Sequence, residues 1–300
     1  MNKWYQMREQ SAGKTRLELL WYIYKIFGVR FLKIIVYPVI LIISIFAKPA
    51  VKASKQYRKI LNIYQKQHNL SISKFSPVSH IYSFACAVVD KMSASCDKKT
   101  KIKIEIHKTP DWSEFQNLLK NNQGVFLICS HLGNIEALTA IKSTTEKTMH
   151  AFMQISQNST FHNFMMRHNI SNNTKLYPTE NINLSTATEM FEYLKNGDLV
   201  MMAGDRTSKN TPNRYETIPF LGVNCQFPIG TFKFARAEYC PMFAMCLMNI
   251  GQEKYKLYVR KLSSQSTRQT IIEYANFLEK LVLLYPKQWF NFFDFFENAE

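Results

Sequence analysis

Acidic residues are scarce in this chain, 22 Asp and Glu against 38 Lys and Arg, and the imbalance leaves a net charge of +16. The deficit is uneven. Residues 1–59 hold twelve Lys and Arg against Glu9 and Glu18 alone, so +10 of the +16 sits in one fifth of the chain. Cysteine is present but unpatterned: positions 86, 96, 129, 225, 240 and 246 form no Cys-x-x-Cys pair and have no histidine at zinc-ligand spacing. That excludes the ordinary thiolate zinc site, and buried free thiols in a reducing compartment are expected instead. Low-complexity tracts are missing, and 46% hydrophobic residues exclude a disordered chain. No helix-turn-helix, zinc or RNA-binding signature accompanies the basic charge, and the aromatics cluster with aliphatics instead of alternating with Lys and Arg. Nucleic acid is therefore not an expected partner.

A clean membrane span is missing as well. Residues 17–47 are the most apolar part of the chain, but the uncharged stretch Ile34–Ala47 has only 14 residues and contains Pro38. A crossing needs about 20 residues for a hydrocarbon core of roughly 30 Å. Extension toward the N-terminus brings in Lys33 and Arg30, which would have to snorkel. Both flanks are basic, so the positive-inside rule selects no orientation. A shallow element fits better than a crossing, with Trp21, Tyr22, Tyr24 and Tyr37 at headgroup level and Lys48, Lys52, Lys55, Arg58 and Lys59 facing anionic lipid. A buried helix pair with a solvated basic face is the competing reading. The apolar run begins far from Met1 and lacks a small-residue cleavage site, so no cleavable signal peptide is expected. Residues 1–60 are read as a basic apolar membrane-anchoring helical segment and 61–300 as an α/β domain.

Beyond a helical connector at 57–94, strand and helix patterns alternate. Strands are expected at Gln123–Cys129, Thr148–Gln154, Lys175–Pro178 and Asp198–Ala203, and helices at Asn134–Ser143, Asn158–His168 and Leu184–Lys195. Tyr215–Pro228 reads as a hairpin and Ile229–Tyr239 as a helix; Pro241–Ile250 and Tyr255–Leu262 read as a strand pair, and Gln269–Leu284 as a helix. This alternation predicts an α/β fold with a mostly parallel central sheet flanked by helices. Six of the eight residues from 289 to 296 are aromatic, and this tail is expected to pack over the core.

Ligands of such sheets bind beyond the carboxyl ends of the strands. His131 ends one expected strand and Asp205-Arg206 follows another, so both belong to one candidate site. Glu136 lies five positions after His131, with Gly133 and Asn134 suited to a turn between them. A neutral imidazole with a carboxylate that fixes its tautomer makes a general base. The bland alternative is a strand-end histidine bonded to local backbone, with Glu136 as an ordinary first-turn acid.

Ser130-His131-Leu132-Gly133-Asn134-Ile135-Glu136 resembles the His-x4-Asp/Glu box of the lysophospholipid acyltransferase superfamily, and within it the lipid A late acyltransferase branch. Gly204-Asp205-Arg206, Pro219-Phe220-Leu221-Gly222, Phe227-Pro228-x-Gly230 and Pro286-x-Gln288-Trp289-Phe290 follow in the order of that branch. Phe227–Thr231 departs from the Phe-Pro-Glu-Gly-Thr box of glycerolipid acyltransferases, because Ile229 replaces its acid and the segment lies too far past His131.

The resemblance implies a membrane-bound acyltransferase at the cytoplasmic face of a bacterial inner membrane. It would take its acyl chain from an acyl carrier protein or coenzyme A thioester, with no cofactor and no metal. In this reading His131 deprotonates an acceptor hydroxyl or amine and Glu136 holds the imidazole. Arg206 binds an acceptor phosphate or carboxylate or the developing oxyanion, and Asp205 positions Arg206 or caps the turn. Asn134 donates to the oxyanion or caps a helix. The alternatives are an aminolipid or polyene-type pigment acceptor, or a catalytically silent protein that binds the membrane surface.

Overall fold

A computed structural model describes residues 14–96, 103–134, 147–153, 167, 174–179, 182–207, 211–237, 240–251, 253–263 and 265–296. In chain order these form α1 (Lys14–Phe46), α2 (Lys48–Gln67), α3 (Pro77–Cys96), β1 (Lys103–Ile106), α4 (Pro110–Lys120), β2 (Val125–Cys129), β3 (Met149–Met153), β4 (Thr174–Pro178) and α5 (Leu184–Lys195). Then follow β5 (Leu199–Ala203), β6 (Tyr215–Phe220), β7 (Val223–Pro228), α6 (Gly230–Ala237), β8 (Met242–Gly251), β9 (Lys254–Leu262) and α7 (Thr267–Leu284).

The fold is α/β. One sheet has seven strands in the order β1-β9-β8-β2-β5-β3-β4, and all its ladders are parallel except β8–β9. The apolar run of β2 is buried at every position, as a central strand covered on both faces must be. Its alternation divides the interior. Phe126 and Ile128 face Tyr274 and Leu278 of α7, Phe220 and Phe227 of the β6–β7 hairpin, and Leu61 of α2. Val125, Leu127 and Cys129 face Trp112 and Phe115 of α4.

Local chemistry sets the helix starts. Thr109 caps α4 ahead of Pro110, Asn183 and Thr186 form a capping box on α5, and Ser266 caps α7. The aromatic tail packs over the core as expected, with Trp289, Phe290, Phe295 and Phe296 buried.

The N-terminal part differs from the reading of the sequence. The connector expected at 57–94 is two helices, α2 and α3, and α2 already begins at Lys48. Proline at N1/N2 tolerates a helix start there, and Tyr57, Ile60 and Leu61 carry α2 into the main core. Helix α1 is broken at Gly28 (φ 80°, ψ 177°), a conformation that glycine adopts without steric cost. Trp21 and Tyr24 are buried instead of standing at a headgroup level, whereas Tyr22 and Tyr37 are exposed. Trp21 and Tyr24 lie on the helix face that also buries Leu17, Val29, Leu32, Val36 and Ile40, against Ile81, Val89 and Met92 of α3 among others. The helices expected at 134–143 and 158–168 fall almost wholly outside the described residues.

Candidate active site

Strands β2 and β5 are parallel neighbours in register, with Cys129 opposite Ala203. His131 and Asp205 each lie two residues beyond that last pair, so the register alone brings them together at the carboxyl edge of the sheet. The ladder continues one step further, as Gly204 N donates to Cys129 O at 2.9 Å. A Cβ at Gly204 would stand 2.7 Å from Ile128 Cγ2 and 2.9 Å from Phe232 Cζ, so a larger residue would push against the side chains packed over this strand end. Tyr274 Oη also donates to Cys129 O, at 2.6 Å, and Thr231 Oγ1 donates to Ala203 O at 2.8 Å.

Asp205 is fully buried and grips His131 twice. Oδ1 stands 2.9 Å from His131 Nδ1, and Oδ2 accepts from the His131 backbone N–H at 2.8 Å. Asn291 Nδ2 donates a third bond to Oδ2 at 3.0 Å. Burial alone would raise the carboxyl pKa, but His131, Arg206 and these hydrogen bonds outweigh it and hold Asp205 down at about 2. An ionised carboxylate only accepts, so Nδ1 carries the ring proton and Nε2 the lone pair. The His131 side chain keeps 31% exposure. Its pKa is lowered, first by desolvation and then by the charge of Arg206, against the opposing pull of Asp205. The ring is therefore neutral at pH 7, a state in which it can accept a proton.

Arg206 is tied to the C-terminal tail. Nε donates to Asn291 Oδ1 at 2.8 Å and Nη2 to Phe290 O at 3.1 Å, with the guanidinium 5.5 Å from the Phe293 ring centroid. Burial brings its pKa down to about 10, which leaves it charged at neutral pH. Asn291 thus bridges Asp205 and Arg206, and neither composition nor local spacing had marked it. The tail itself lies antiparallel on the histidine loop: Phe290 N donates to His131 O at 2.8 Å and Gly133 N to Gln288 O at 2.9 Å, with a bridge between Leu132 and Trp289.

Gly133 has φ +75°, and a Cβ there would meet Leu247 O at 2.4 Å, so the turn after His131 depends on this glycine. Asn134 turns toward α3 and β9, where Nδ2 donates to Ala87 O at 3.2 Å and to Tyr255 Oη at 3.4 Å. Glu136, expected to hold the imidazole, lies outside the described residues; the carboxylate on Nδ1 is that of Asp205. Among the described residues no group of three or more His, Cys, Asp or Glu gathers to hold a metal.

A neutral histidine with its tautomer fixed by a buried carboxylate, at the carboxyl ends of adjacent parallel strands, is equipped for acid–base catalysis. Residues 78–297 match the family of bacterial lipid A biosynthesis acyltransferases, well over half of the chain, and the chain belongs to that family. Membership supports acyltransferase activity and covers every residue of the site just described. No curated protein matches the chain.

Proposed function

We propose that this protein transfers a fatty acyl chain from a thioester donor to a hydroxyl or amine of a lipid A-type glycolipid, with His131 as general base. The observation that carries the reading is the His131–Asp205 pair, 2.9 Å apart, in a chain of this family. Nε2 takes the acceptor proton while the acceptor oxygen or nitrogen attacks the thioester carbonyl. The tetrahedral oxyanion then collapses, the carbon–sulfur bond breaks, and the imidazolium returns its proton to the leaving thiolate. Asp205 keeps Nε2 the basic nitrogen and stabilises the imidazolium. Arg206, with two of its donors held by the tail, acts as a fixed positive charge beside the centre where negative charge develops. The proton balance closes on the histidine, so the step as written draws on no cofactor. An acyl carrier protein or coenzyme A serves as co-substrate.

The protein works at the cytoplasmic face of a bacterial inner membrane in this reading. Helix α1 supports the membrane part of this reading, because Leu17–Phe46 is strongly apolar and leaves Ile26, Phe27, Ile34 and Ile42 exposed. The test is lipid mass spectrometry on cells with the intact gene, a deletion, and His131→Ala at the chromosomal locus. One acylated lipid should be absent from both the deletion and the alanine strain, and its precursor should accumulate. An alanine strain with the wild-type lipid profile would refute the role of His131, and a binding protein without chemistry would change no lipid in any strain.

A further inference from the structure

Helix α1 has the length of a membrane span, but its attachments do not allow it to be one. A spanning helix is surrounded by lipid or by other spanning elements through the whole hydrocarbon core. Near the middle of Leu17–Phe46, Lys33 Nζ stands 2.5 Å from Asp90 Oδ1 of α3, with the two side chains 20% and 3% exposed. Tyr82 of α3 donates to Lys33 O at 3.1 Å, and its ring packs edge-on against Tyr37 at 5.1 Å. Asp90 in turn accepts from Tyr255 Oη of β9 at 2.5 Å and from Asn249 Nδ2 of β8 at 3.4 Å. Three residues before Lys33, Arg30 pairs with Glu253 in the turn between β8 and β9 at 3.4 Å. The midpoint of the helix is therefore fastened to the polar end of a strand pair. A bilayer centred on it would carry that turn and its exposed backbone into hydrocarbon, where such backbone is not tolerated.

One face of α1 remains. Ile26, Phe27, Ile34, Ile42, Ile45 and Phe46 are well exposed, on the side away from the buried Leu17, Val29, Leu32, Val36 and Ile40. At the end of this stripe the chain enters α2, whose exposed Lys48, Lys52, Lys55 and Lys59 follow at helical spacing along one face, with no acidic residue anywhere in the helix. Apolar surface followed by a lysine row matches one leaflet of an anionic bilayer, with acyl chains against α1 and phosphates against α2.

We infer that α1 lies in the plane of a single leaflet, fastened to the catalytic body by the Lys33–Asp90 pair, and that the α2 lysines bind the anionic headgroups beside it. The protein enters the membrane from one side without crossing it, and its own body closes off the other face of the helix. This inference rests on the membrane reading given above, and two measurements keep their failures apart.

The first is flotation of the full chain with vesicles of phosphatidylcholine alone and of equal parts phosphatidylcholine and phosphatidylglycerol. Binding is expected to favour the anionic vesicles. The quadruple variant Lys48→Gln/Lys52→Gln/Lys55→Gln/Lys59→Gln, all at exposed positions, should lose at least about tenfold in affinity for them, since each basic residue near the surface contributes to attraction. A chain that floats with neither vesicle overturns the membrane reading and this inference with it. Binding that the quadruple variant leaves unchanged overturns the role of α2. The second measurement places short epitope tags before Met1 and after Glu300 and exposes sealed membrane vesicles to protease from one side. Both tags should be cleaved, or both protected, together. One tag cleaved and the other protected would show that α1 crosses and would overturn the in-plane arrangement while leaving membrane binding intact.

Discussion

At the scale of single residues, the site is a chain of charge and hydrogen bonds that runs from His131 through Asp205 and Asn291 to Arg206. Asp205 pulls the His131 pKa up and Arg206 pushes it down, so their removal should move the acid limb of the pH–rate profile in opposite directions. In the wild type that limb should fall below pH 6.5, since the ring must be neutral to act and its pKa is lowered from that value. Asp205→Asn should shift the limb to lower pH and reduce kcat by about 10²–10⁴-fold, the range associated with a positioned base. Arg206→Gln should shift it to higher pH. Initial rates between pH 5 and 9 decide both, and a limb that stays in place in either variant contradicts the assignment. Asn291→Ala should also move the limb, because it frees both charged neighbours at once. A merely structural role would lower the yield or the melting temperature and leave the profile where it was.

His131 was singled out in the sequence because it ends an apolar run, and Glu136, which lies outside the described residues, because it stands nearby in the chain. Asp205 lies 74 positions away, and only the pairing of β2 with β5 brings it to Nδ1. The two strand ends could be assigned to one site from the sequence, but the pairing that sets Asp205 on Nδ1 is a tertiary fact that a single sequence does not display. Asn291 was further out of reach, since nothing in an aromatic tail distinguishes an asparagine that fills a polar gap from one that faces water.

At the scale of elements, the alternation of apolar runs and helical stretches located β2–β9 to within two residues or so, and α7 stood where the turn residues placed it, whereas β1 and α4 had no expected counterpart. Boundaries failed mainly in the N-terminal part, where Gly28 breaks α1 while Pro38 is accommodated inside it. The burial of Trp21 and Tyr24 was illegible because α3, which helps to cover the same face of α1, begins more than fifty residues later.

Two places carry testable effects on stability. Gly133→Ala puts a methyl group against Leu247 O in a backbone conformation that disfavours side chains, and it should cost on the order of 2 kcal/mol or more, read as a lower denaturation midpoint. The second is the seam between α2, α3 and the tail, where the buried His80 bonds Ser54 Oγ at 3.0 Å through Nδ1 and Trp289 O at 2.8 Å through Nε2. A carbonyl only accepts, so His80 donates from Nε2. Burial lowers its pKa to about 4, below the ordinary value near 6.5. The unfolded chain therefore binds more protons between these values. The stability linked to His80 is fully present above about pH 6.5 and is lost as pH falls toward 4, by on the order of 3 kcal/mol. His80→Gln should flatten this part of the stability–pH curve, as followed by urea denaturation; an unchanged slope would remove His80 as its source.

At the scale of the whole molecule, one strand pairing and one tail combine into a site, and one helix combines with a lysine row into a surface. The sheet sets His131 beside Asp205, and the C-terminal tail locks the loop from the other side through Gln288, Trp289 and Phe290. Charge follows the same division. The basic excess collects in the first fifth of the chain, at α1 and α2, whereas the buried ionic groups of the site balance one another. The family match over residues 78–297 begins with α3 and leaves out α1 and α2, so the two helices proposed to meet the membrane lie ahead of the matched region.

The most direct test of acyl transfer by the His131–Asp205 pair is turnover of a labelled acyl thioester by the full chain in lipid vesicles with a lipid A-type acceptor. Wild-type protein and His131→Ala are compared, with both acyl carrier protein and coenzyme A as carriers. Acceptor-dependent product from the wild type and a loss of at least about 10²-fold in the alanine variant, with binding to the vesicles unchanged, is the predicted result. Equal turnover by the two proteins would contradict it.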